Sequence, residues 1–90
     1  MLKYVIERNI PDVGKLSAQE LQERSRRSNQ VIRDLGGALQ WVQSYVTSDK
    51  IFCVYLAENK EVLLEHAAKT GLPANNIAEV KTIIDPTTAG

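Results

Sequence analysis

The sequence predicts an α+β domain: a four-stranded antiparallel sheet with two helices on one of its faces. Three observations predict it. Strand-like and helix-like segments follow the order β-α-β-β-α-β. A complete helix-entry signal stands at Ser17, and the turn sequence "TSDK" joins two strand-like runs directly. The chain of 90 residues suits a single domain over residues 1–90, with 86–90 as a loose tail after Pro86.

"KYVIERNI" is rich in β-branched and aromatic residues and stops at Pro11, so it reads as the first strand. Ser17 followed by Glu20 makes the S-x-x-E capping box, and Leu16 and Leu21 are placed to form a hydrophobic staple. Leu21, Ser25, Ser28, Ile32 and Leu35 then recur at helical spacing up to Gly36-Gly37. The serines in that stripe suggest a helix lying close to the sheet. "LQWVQSYV" alternates with period two, and "IFCVYLA" follows the turn as its hairpin partner. Asn59 caps a second helix through Val62, Leu63, His66, Ala67 and Thr70 to Gly71. "IAEVKTIID" closes the order as a fourth strand. The whole is the ferredoxin-like split βαββαβ pattern.

Composition narrows the function classes. Eleven basic and eleven acidic residues cancel, which argues against nucleic acid, and Arg24, Arg26 and Arg27 read as part of a solvated helix face. The single cysteine allows no internal disulfide, and no apolar run approaches a membrane span. "MLKYVIERN" is charged too early for a signal peptide, so the cytoplasm is the expected address.

Both helices on one face leave the other face of the sheet open. Alternation sets Phe52, Val54 and Leu56 against Ile51, Cys53 and Tyr55, and Val42 and Val46 against Trp41, Gln43 and Tyr45. The aliphatic sets suit the helix-covered core. Trp41, Gln43, Tyr45, Ile51, Cys53 and Tyr55 are then expected on the open face. So apolar a surface needs a cover, and a second copy packed sheet to sheet, as a dimeric α/β barrel, supplies one. The space between two such sheets also suits a small organic ligand.

Cys53 and His66 are the chain's only thiol and only imidazole, the two side chains best suited to borderline transition metals. Their spacing matches no zinc motif. Read blandly, Cys53 is a small buried hydrophobe and His66 a helix histidine bonded to a carbonyl.

The motif "KIFCVYLAENKEVLLEHA", with "YVIER", "KLSAQELQ", "LQWVQSYVT" and "EVKTIIDPTT", resembles a family of small bacterial ferredoxin-like proteins of originally unknown function. That family includes a nickel-binding, nickel-responsive member. The resemblance covers nearly the whole chain. It implies a homodimer that binds nickel, in sequestration or metal response, with Cys53 and His66 matching the family's characteristic Cys and His. Donors of this kind accept copper or zinc as well. Glu7, Tyr45 and Tyr55 are the further candidates, as oxygen donors or as supports of the ligands. The face assignment sets Cys53 and His66 on opposite sides of the sheet. Either they serve separate metal positions, completed by the second protomer, or Cys53 lies under the second helix beside His66. The alternative function is a small dimeric α/β-barrel enzyme, a cofactor-free monooxygenase or isomerase, using the inter-sheet cavity. Neither a Ser-His-Asp arrangement nor a Gly-rich phosphate loop favours it.

Overall fold

The computed structural model describes residues 1–90. Strand β1 is Leu2–Asn9, helix α1 Ala18–Asp34, β2 Leu39–Val46, β3 Lys50–Ala57, α2 Lys60–Thr70 and β4 Asn76–Glu79. The sheet order is β2-β3-β1-β4 and every pairing is antiparallel. This is the ferredoxin-like α+β architecture. Tyr4, Ile6, Leu39, Cys53, Tyr55 and Ala57 of the sheet form one core with Val62 and Leu63 of α2, and Ile32 of α1 and Leu35 at its C-terminal cap pack against it. Both helices therefore cover the same face.

Local chemistry sets the helix ends. Ser17 Oγ accepts from the Glu20 amide at 3.1 Å, and the Glu20 carboxylate accepts from the Ser17 amide at 3.3 Å, so the capping box closes. Replacing Ser17 with alanine should cost about 1 kcal/mol, read as a lowered urea midpoint with an unchanged slope. Asn59 Oδ1 caps α2 at the Val62 amide, 3.0 Å away, and Gly71 ends that helix at φ 75°. The β2–β3 turn is clasped by the segment after β1. Gly14 donates to Ser48 O at 3.0 Å, and a Cβ there would stand 2.8 Å from Thr47 O.

The two rows of the sheet lie opposite to the sequence expectation. Cys53, Tyr55 and Ala57 are buried beneath the helices, with Ile51 in the same row, while Phe52, Val54 and Leu56 lie on the open face and are partly exposed. The register decides it: Cys53 pairs with Ile6 and Tyr55 with Tyr4, both buried. In β2 a bulge interrupts the alternation between Trp41 and Gln43, leaving Val42 as the extra residue. Trp41 therefore faces the helices together with Ser44 and Val46, whereas Gln43 and Tyr45 face the open side. Of the residues expected on the open face, Trp41, Ile51, Cys53 and Tyr55 belong to the covered one. Val42, expected in the core, is 50 % exposed.

Strand β4 is also shorter than "IAEVKTIID". It pairs Glu79 with Tyr4, and the Val80 amide adds one bond to Lys3 O. Strand β1 has almost run out at that point, so nothing is left to pair with the residues that follow. Ile83 and Ile84 are exposed, and residues 86–89, expected as a loose tail, form an exposed 3-10 turn capped by Asp85. No helix of the chain is long and apolar enough to cross a membrane.

Candidate functional site

Between the N-terminal half of α1 and the sheet lies a cavity of about 170 Å³. Ser25 and Ser28 of α1 line it, opposite Arg8 of β1, Trp41 and Ser44 of β2, and Cys53 and Tyr55 of β3. The α1 serines thus wall a hollow and do not seat the helix tightly on the sheet. The bulge builds the far wall, because it brings Trp41 and Ser44 to the same side, where Trp41 Nε1 donates to Ser44 Oγ at 2.9 Å.

Arg8 is the centre of this site. Its side chain is fully buried, with 0 % exposure. Nε donates to Cys53 Sγ at 3.4 Å, Nη1 to the Pro73 carbonyl at 2.8 Å and Nη2 to the Tyr55 hydroxyl at 3.3 Å. These bonds tie β1 to β3 and to the connection after α2. No carboxylate pairs with Arg8; the chain's four ion pairs all lie elsewhere. Burial works against its charge, but Tyr55 and Cys53 beside it hold its pKa above the ordinary value.

His66 stands at the edge of the same cluster. Its ring meets Tyr55 edge-on, with centroids 5.6 Å apart and planes at 60°. Nε2 shares a hydrogen bond with Ser28 Oγ at 3.1 Å, which joins the two helices, and the buried Nδ1 has no partner. The carbonyl expected as its partner is replaced by a hydroxyl from the other helix. Burial, with Arg8 adding, pushes the His66 pKa down to about 4, against the opposing contact with Ser28. Burial, with Cys53 adding, pushes Tyr55 up to about 12. At neutral pH the cluster therefore holds a neutral imidazole, a protonated phenol and a guanidinium cation.

Of the sequence candidates, Cys53, Tyr55 and His66 come to the covered side. Arg8 links the first two, and the ring contact links Tyr55 to His66. Glu7 and Tyr45 do not join them. Glu7 is on the open side, 3.4 Å from Lys50 Nζ, and Tyr45 is 56 % exposed there, bonded to Gln43. No group of three or more His, Cys, Asp or Glu side chains is placed to hold a metal ion. Tested against nickel, the donor chemistry fits at His66, whose unpartnered Nδ1 is a neutral imidazole nitrogen. It fits less well at Cys53, whose sulfur already accepts from a cation. Sequence reasoning missed Arg8. The available signal was its parity with Tyr4 and Ile6, which sets an arginine in the buried row of β1.

A family model described as "Nickel responsive protein SCO4226-like" matches residues 4–80. No curated protein matches the chain. Among solved structures, the crystal structure of SCO4226 from Streptomyces coelicolor A3(2) superposes with a TM-score of 0.76 at 15 % identity, covering 91 % of this chain and 99 % of that one. At that identity the likeness is one of fold.

Proposed function

This chain belongs to the small bacterial family of the nickel responsive SCO4226-like proteins, and on that premise we propose that it binds nickel as a cytoplasmic homodimer, in sequestration or metal response and without turnover. His66 is the principal ligand. The observation that carries this reading is the buried Nδ1 with no partner on a ring held neutral. Cys53 is the second donor, and its thiolate would offset the charge of Arg8 beside the incoming dication. Two protein donors leave the remaining nickel positions to water or to further groups. His66 is closed to solvent, so entry requires α1 and α2 to part at the Ser28–His66 contact. A metal held there would supply Lewis acidity and a structural tie between α2 and β3.

The expected dimer surface is the open sheet face, where Val5, Phe52, Val54 and Leu56 are only partly covered and Tyr45 is exposed. Sedimentation at micromolar concentration should give a dimer, and Val54→Asp should give a monomer. A wild-type monomer would remove the dimer from the reading.

Calorimetry with nickel tests the metal. His66→Gln should abolish binding and Cys53→Ser should weaken it. Because the ring resists protonation down to a pKa of about 4, proton competition at His66 should set in well below the ordinary imidazole pKa of 6.5. Unchanged affinity in both variants would reject the assigned ligands.

A further inference from the structure

We propose that the cavity beneath α1 is a binding site for a small organic anion, a carboxylate with a short apolar body, held by Arg8 and Arg24. The inference does not rest on the nickel reading: it assigns a different ligand to Arg8 and Arg24, in a cavity whose wall includes Cys53.

The first argument is the charge of Arg8. A guanidinium carries five N–H donors, and the structure commits one from each of its three nitrogens, leaving two. No carboxylate is among the three acceptors: the Pro73 carbonyl carries no charge, and the Tyr55 phenol keeps its proton at neutral pH. A fully buried cation without a counter-charge is costly, and an anion in the adjoining cavity removes that cost. Guanidinium is also the side chain best matched to a carboxylate.

The second argument is the lining. Arg24 of α1 borders the same cavity and enters none of the chain's ion pairs. It supplies a second positive charge from the exposed helix face. Ser25 and Ser28 of α1 and Ser44 of β2 add hydroxyls. No Asp or Glu stands on the wall, so no carboxylate there repels an anion. The remaining wall is apolar, with Leu21, Trp41 and Ile51 among it. An apolar wall joined to a cationic end is complementary to an acid with a hydrocarbon part, and less so to a bare inorganic oxyanion.

Trp41 lies on the wall and reports occupancy. The purified protein is titrated with butyrate and benzoate, with the uncharged amides butyramide and benzamide, and with inorganic phosphate. Tryptophan emission and calorimetry are the readouts. At least one of the carboxylates should bind at millimolar concentration or tighter, and its amide should bind roughly tenfold or more weakly. Arg24→Gln, an exposed substitution that leaves the core intact, should reduce carboxylate affinity severalfold, and Arg8→Met should abolish it. If wild type binds neither carboxylate, or binds acid and amide equally, the proposal is overturned. Binding of phosphate without either carboxylate also overturns it, by identifying a site for simple oxyanions. Carboxylate binding unaffected by Arg24→Gln in the folded variant removes Arg24 from the site.

Discussion

Acidification from neutral pH to about pH 4 should remove about 3 kcal/mol of stability through His66 alone. The fully buried ring has its pKa lowered from 6.5 to about 4. In the unfolded chain the imidazole takes up a proton as pH falls through 6.5, whereas in the folded protein it does so only near 4. Between those values the unfolded state binds more protons, so stability falls with pH. Above 6.5 the contribution is fully present, and below about 4 the loss is complete. Urea unfolding near pH 7 and near pH 4.5, at fixed protein concentration, measures most of the window. The variant His66→Phe carries no titrating group at this position and should lose much less across it. An equal loss in both proteins would place the acid sensitivity in the carboxylates.

Arg8→Ala should destabilise the protein on the order of 4 kcal/mol. Three mechanisms add. The Tyr55 hydroxyl and the Pro73 carbonyl lose their recorded donor, the Cys53 sulfur loses its N–H, and a void opens where the stem packed. Arg8→Met should cost clearly less, because it keeps the stem's volume and removes the burial of an uncompensated charge. The difference between the two midpoints separates packing from hydrogen bonding. Near-wild-type stability in the alanine variant would mean that the connection after α2 does not depend on Arg8.

The parts of the fold legible in the sequence are those set by neighbours in the chain. Ser17 with Glu20, Asn59 before α2, and Gly71 after it act within a few residues, and each end lies where its cap predicts. The element order followed from periodicity for the same reason. The faces of β2 and β3 were not legible. Both rows of β3 are apolar, so alternation divides Phe52, Val54 and Leu56 from Cys53 and Tyr55 without saying which row is inside. Only pairing with β1 resolves it, since Tyr4, Ile6 and Arg8 form its buried row. Cys53 and His66 could be singled out as rare donors, but their surroundings come from residues 38 and 45 positions away, Ser28 and Arg8. A guanidinium without a carboxylate partner is visible only once the chain has closed around it.

The extra residue in β2 has a consequence for what the molecule can hold. Were Val42 paired like its neighbours, the alternation would run on unbroken, and the inner positions after Trp41 would fall to Gln43 and Tyr45. Two long side chains would then stand where Ser44 and Val46 now border the hollow, and a phenol ring would project toward α1. Drawing that one residue into the ladder would thus plug the chamber from within, while stripping the outer surface of its tyrosine. The bulge works as a parity shift that exchanges filling side chains for short ones, and the chamber's volume follows from leaving one residue out of the ladder.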